Sequence, residues 1–192
     1  MKRVCLAVLF TICAAPLMAG EIHGKVTAKG LRDSSDAVVY IEKVPGKTFA
    51  PPSMHVRMDQ KNLQFVPHVL PVVVGTTVDF LNSDSVLHNV FSPDACADRV
   101  NLGTWPQGQL KSFTIKKPCF ATLLCRVHPE MEGYLAAVPT PYFAVTSPNG
   151  SYEIKDVPDG TYAVKVWHPR LKGTEKSVSV KGATEADFAI AK

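Results

Sequence analysis

The sequence predicts an all-β protein. Its 192 residues are punctuated by 15 prolines and 12 glycines, and past residue 20 no long segment repeats its apolar residues at the helical interval. What recurs is a short alternating or β-branched apolar run closed by a Gly, Pro, Asn or Asp turn, as in Val-Gly-Thr-Thr-Val-Asp-Phe-Leu-Asn at 74–82. Such runs read as strands because successive side chains point to opposite faces, so alternation separates a buried face from a wet one.

Residues 1–19 stand apart. Lys2-Arg3 precede an apolar run over 4–16, and Leu17-Met18-Ala19-Gly20 follows, the layout of a secretory signal cleaved near Ala19 or Gly20. The run is too short for a comfortable bilayer span and no later segment is apolar enough. The mature product is therefore expected to be exported, periplasmic or secreted, with no stable membrane insertion. Cys13 lies within the run, but the bulky Ile12 before it argues against acylation. The formal charge of +4 falls to +2 without Lys2 and Arg3, too little to argue for a nucleic-acid partner.

The mature chain opens with strands expected over 21–28 and 37–43, joined by a turn at 30–36, and Pro45-Gly46 and Pro51-Pro52 then mark a linker. Strands follow over 54–59, 69–74 and 76–81, with Gly75 in the tight turn and Val78 and Phe80 alternating inward. A strand at 86–91 leads into a long irregular loop, 92–108, and strands at 110–115, 120–125 and 134–138 close this part. The last third changes character. Strands at 142–146, 151–154 and 161–167 are separated by Pro148-Asn149-Gly150 and Asp156-Val157-Pro158-Asp159-Gly160, which is hairpin turn chemistry. Strands at 177–180 and 186–190 finish the chain.

The chemistry concentrates in Cys125-Arg126-Val127-His128-Pro129-Glu130-Met131, which sets a thiolate, an imidazole and a thioether at three-residue intervals. Two His and one Cys with a distant axial Met make a type 1 copper site, in which soft sulfur holds Cu(I) and imidazole suits both oxidation states. The second imidazole has to come from elsewhere, and His88 is the best candidate, in a polar turn followed at once by an apolar strand. His23, His55, His68 and His168 lack spaced partners and read as surface or satisfied core residues. Without the signal, three cysteines remain: Cys96, Cys119 and Cys125. In an oxidising compartment an odd count asks which thiol is protected. Metal would protect Cys125; Cys96 and Cys119 are then either bonded to each other or separately buried thiols.

The run Phe65-Val66-Pro67, then Val74-Gly75-Thr76-Thr77-Val78-Asp79-Phe80-Leu81-Asn82-Ser83-Asp84, then His88-Asn89-Val90, closing with Cys125, His128 and Met131, resembles a cupredoxin of the plastocyanin-like group with a short ligand loop. The resemblance covers 51–141, under half of the chain. It implies a Greek-key β-sandwich, one type 1 copper ion held by His88, Cys125, His128 and Met131, and one-electron transfer. Asn89 resembles the family Asn whose side chain ties the ligand loop to the neighbouring strand. The implied partners are transient redox proteins such as a c-type cytochrome or an oxidoreductase, meeting an exposed edge of His128 within apolar surface at Leu87, Pro129 and Trp105. Lys111, Lys116, Lys117 and Arg99 form either a docking rim for an acidic partner or an ordinary solvated face. The competing reading is a copper-binding module for storage, delivery or sensing. An enzyme is not expected, because there is no second His-rich centre, no paired carboxylates and no Ser/His/Asp order.

Asn-Gly-Ser-Tyr-Glu-Ile at 149–154 and Val-Pro-Asp-Gly-Thr-Tyr-Ala-Val-Lys-Val at 157–166 resemble the small β-sandwich known as a carboxypeptidase regulatory-like domain. About 50 residues make a thin core alone. Gly24-Lys25-Val26 and the run at 36–42 look like the opening of the same module, so the expected arrangement is a discontinuous domain, 21–50 plus 142–192, with the cupredoxin (51–141) inserted into it. Exposed loop tips and close termini make such insertions easy. The alternative is a cupredoxin joined to an N-terminal hairpin and an independent tail.

Overall fold

The computed structural model describes residues 19–192, so the expected signal segment lies outside the described residues apart from Ala19. The strands are β1 (Ala19–Ala28), β2 (Val38–Ile41), β3 (Val56–Lys61), β4 (Gln64–Val66), β5 (Val69–Val73), β6 (Thr77–Asn82), β7 (His88–Phe91), β8 (Asn101–Trp105) and β9 (Leu110–Thr114). They continue as β10 (Cys119–Leu124), β11 (Glu132–Val138), β12 (Phe143–Val145), β13 (Ser151–Pro158), β14 (Gly160–Trp167), β15 (Thr174–Val180), β16 (Ala183–Glu185) and β17 (Phe188–Ile190). The protein is all-β. Among the described residues no helix is long and apolar enough to cross a membrane.

Hydrogen-bonded pairing sorts the strands into two groups. Strands β3 to β11 pair among themselves in two sheets, β4-β3-β6-β9 and β5-β11-β10-β7-β8. Strands β1 and β2 pair with partners from the far end of the chain, in β13-β1-β16 with β17 alongside β1, and in β12-β2-β14-β15. Each group encloses its own apolar core. Met58, Phe65, Val78 and Phe80 from one inner sheet meet Val90, Trp105, Leu123 and Leu135 from the other. In the outer group, Ile22, Val26 and Ile154 face Val39, Ile41, Val164 and Val178. This is what alternation predicts: in β6 the residues Val78, Phe80 and Asn82 are buried and their neighbours are half-buried.

A third apolar cluster joins the two groups, with Val38 and Tyr40 of β2 packed with Val69, Tyr134, Ala136 and Val138. Packed against it, half-buried Phe120 of β10 stacks on half-buried Trp167 of β14, ring centroids 4.6 Å apart and planes 12° from parallel. Strand β11, whose first residue follows the ligand loop, therefore has one face in the inner core and one against the outer group.

The observed strands depart from, or add to, the expected ones at four places. The loop at 92–108 contains a short 3-10 turn, Ala95–Ala97, and strand β8. Strand β8 was hidden because Asn101 and Gly103 have low strand preference, and pairing with β7 supplies what local sequence lacks. Residues 64–66 form β4, antiparallel to β3 and too short to show a period. Strand β13 runs on to Pro158 instead of ending at 154, because Asp156 takes a left-handed φ of 58° within the strand and pairing resumes opposite Gly20 and Ala19. At the C-terminal end β15 starts at Thr174 and β16 adds a short pairing to β1, both exposed and polar enough to read as loop.

Candidate metal centre

The site is built where β7 and β10 run antiparallel, with Leu124 opposite Phe91. One step past Leu124, Cys125 leaves the sheet, and its thiol turns beneath the start of β7, where His88 is fully buried. The ligand loop then folds back through a turn in which the Met131 N–H bonds the His128 carbonyl at 3.0 Å, bringing His128 over the same point. Cys125 Sγ lies 3.8 Å from His88 Nδ1 and 4.0 Å from His128 Nδ1, and the two imidazole nitrogens are 3.1 Å apart. A triangle with sides 3.1, 3.8 and 4.0 Å has a circumradius of about 2.1 Å, so one ion at its centre would meet all three atoms within the ~2.0–2.3 Å of metal–imidazole and metal–thiolate bonds. Among the described residues this is the one group of three or more His, Cys, Asp or Glu side chains with ligand atoms so close together. The donor set, two neutral nitrogens and a soft thiolate, suits copper or zinc.

The surrounding bonds hold each donor. Asn89 donates its backbone N–H to Cys125 Sγ at 3.4 Å and accepts the Arg126 N–H on its side-chain oxygen at 3.3 Å. Its amide nitrogen bonds Asn101 Oδ1 at 3.0 Å and the Gly103 carbonyl at 2.7 Å. Asn89 thus ties the loop at 125–131 to β7 and β8. Asn82, fully buried, ties the turn ahead of His88 by donating to the carbonyls of Val86 and Trp105 and accepting the Asp84 N–H. His88 Nε2 is 2.9 Å from Asp84 Oδ2. Burial pushes Asp84 up, but the Leu63 N–H, the His88 ring and the Asn62 N–H outweigh it and hold the carboxyl below its ordinary value. Cys96 and Cys119 are bonded to each other, Cα atoms 5.4 Å apart, which anchors the start of β10 to the 3-10 turn after β7. Cys125 is the free cysteine among the described residues.

His88, Cys125 and His128 are therefore brought together, and Met131 is buried in the same inner core as Cys125. Trp105, expected at the apolar surface, is instead 1% exposed and packs in that core. The exposed apolar residues of these loops are Val86, Leu87 and Val127, at 42, 52 and 44%. Arg126 points outward and lies over the Phe91 ring, 4.8 Å from its centroid. Lys117 pairs with Asp98, and Lys111 bonds the Leu102 carbonyl. His55 and His68 pair with Asp79 and Asp36, while His168 is buried and accepts the Arg170 N–H. Sequence reasoning missed Asp84 as a contact of His88. An Asp four residues before a His is visible, but only the turn's path decides whether the two meet.

A His–Cys–His triangle with two of its three residues buried, at one end of a β-sandwich, defines a candidate metalloprotein of the mononuclear kind. No family model matches the chain, and no curated protein matches it. Solved structures to which the chain is similar include a purple cupredoxin, amicyanin variants and a copper-containing nitrite reductase. The purple cupredoxin from Nitrosopumilus maritimus is 22% identical over 43% of this chain and 98% of its own, with a TM-score of 0.39. A reduced mutant of amicyanin is 22% identical over 53% of this chain and 98% of its own, TM-score 0.41. The copper-containing nitrite reductase from Thermus scotoductus SA-01 is 23% identical over 60% of this chain but 28% of its own, TM-score 0.43. Likeness at that level leaves function to be read from the side chains themselves.

Proposed function

We propose that this chain is an exported carrier of single electrons in which His88, Cys125 and His128 would hold one copper ion, with Met131 as a further sulfur donor. The observation that carries the reading is the triangle of donor atoms, already spaced for bonds of about 2.1 Å to one ion. Bound there, copper would supply a one-electron couple between Cu(II) and Cu(I). The residues do the rest. Cys125 contributes a thiolate whose charge offsets one positive charge of the ion, and the Asn89 N–H bonds that sulfur and moderates its donation. His88 and Cys125 are buried in a sandwich core, which excludes water and limits how far the donors can move when the charge changes. His128 is only partly buried and offers an edge to a partner.

The partners are transient redox proteins, a c-type cytochrome or an oxidoreductase, seated on the apolar surface of Val86, Leu87, Val127 and Pro129. Export is supported by the Cys96–Cys119 disulfide, which persists in an oxidising compartment. The two strand groups are read as a copper domain over 51–141 inserted into a small β-sandwich of 21–50 plus 142–192, a division that the pairing pattern supports.

The test is optical and electrochemical. Copper-loaded mature protein should show intense visible absorption from thiolate-to-copper charge transfer, bleach on one-electron reduction, and exchange electrons with a cytochrome. Cys125→Ser should lose the absorption, and Met131→Leu should keep it at a raised potential. A wild type that binds copper without this absorption sinks the type 1 reading, and one that is coloured but inert towards redox proteins favours a store or sensor.

A further inference from the structure

Asp84 faces two ways. One oxygen lies 2.9 Å from Nε2 of the fully buried His88, while the pair of oxygens accepts the backbone N–H groups of Asn62 at 2.7 Å and Leu63 at 2.9 Å. Asn62 and Leu63 form the turn between β3 and β4, and both take left-handed φ angles, 55° and 56°. Two consecutive non-glycine residues in that region are strained and persist only where something holds them. Successive N–H groups converging on one carboxylate are an anion nest, so turn and carboxylate fix one another. Since Asp84 is itself held by the Asn82 side chain at 2.9 Å, the acceptor presented to His88 is rigid.

A buried imidazole N–H requires an acceptor, and Asp84 is the partner that His88 Nε2 has. With the proton on Nε2, the Nδ1 lone pair is left facing Cys125 and His128. We infer that Asp84 is a positioning residue for the metal centre: held by the β3–β4 turn, it selects the Nε2–H tautomer of His88, aims Nδ1 at the ion, and through its negative charge favours the more highly charged oxidation state. A carboxylate behind a ligating imidazole raises the ring's basicity and orients it. This inference rests on the proposed copper site, but its first readout needs no metal.

In metal-free mature protein, long-range nitrogen–proton NMR should find His88 as the Nε2–H tautomer in wild type and a mixture of tautomers in Asp84→Ala. In copper-loaded protein, Asp84→Asn, which keeps the shape and removes the charge, should weaken Cu(II) binding by about 10- to 100-fold while changing Cu(I) binding less. Each tenfold change in that ratio raises the one-electron potential by ~59 mV. Asp84→Glu should recover part of the shift, and Asp79→Asn, which removes a carboxylate bonded to His55 and Ser112, should leave the potential unchanged. A purely structural Asp84 would lower the melting temperature without moving tautomer or potential, and that result overturns the inference. Should wild type bind no copper, the metal reading falls, and the metal-free tautomer measurement still decides whether Asp84 governs His88.

Discussion

Gly133 has no room for a methyl group. A Cβ there would lie 2.7 Å from the Phe65 Cβ and 2.9 Å from its Cγ, inside the packed inner core. Overpacking of this kind costs about 1–3 kcal/mol, so Gly133→Ala should unfold at correspondingly lower denaturant in an equilibrium titration. Because residue 133 is two positions past Met131, the displaced strand should also weaken copper binding, measurable by competition with a chelator. An unchanged midpoint would mean that Phe65 yields freely. At this scale the candidate donors Cys125 and His128 were legible, since Cys, His and Met at that spacing have few other reasons to coincide. Asp84 and Asn82 were not, because a carboxylate or amide in a polar turn looks the same whether it bonds water or a buried ring.

Between elements, the turn after β1 meets the segment ahead of β5 through Asp36 and His68, whose side chains are 2.8 Å apart. The hydrogen bond to Asp36 raises the His68 pKa above its ordinary value despite partial burial. A raised folded-state pKa means the pair's contribution is complete below about pH 6.5 and is lost as pH rises through the folded value. With His68 46% exposed, that contribution should be only ~0.2–1 kcal/mol. Asp36→Asn, whose residue type tolerates the left-handed φ of 66° at this position, should therefore cost stability at pH 6 and little at pH 9 in matched denaturation curves. A gap that is flat or grows with pH would contradict the assignment. Burial lowers the pKa of His168, so its charging destabilises at acid pH, and the Asp36 charge partly offsets this; losing that charge therefore adds to the cost at acid pH in the same direction. Elements with strong alternation, such as β6 and β14, were readable from sequence; β4, β8 and β16 were not, because their pairing partners supply the stability that their own composition lacks.

Over the whole molecule, the two strand groups meet through the Phe120–Trp167 stack, flanked by Tyr40 at 5.7 Å from Phe120 and Tyr134 at 5.8 Å from Trp167. Truncating a large aromatic at such a junction costs up to ~3 kcal/mol where it is part-exposed. Trp167→Ala should therefore uncouple the groups, splitting calorimetric unfolding into two transitions with the outer group melting first. One transition at the wild-type temperature would show that the stack does not couple them. The same contact places β11 between the metal loop and the outer sandwich, so looseness there should also reach Met131. Sequence alone determined the all-β class and the short loop that carries the candidate donors Cys125, His128 and Met131, because periodicity, turn residues and donor chemistry are local properties. Only the tertiary structure decided that His88 closes the triangle 37 residues from Cys125, that Cys96 pairs with Cys119, and that β1 and β2 join strands from the opposite end of the chain. Those are meetings between distant segments, fixed by sheet register and core packing that no local run of residues encodes.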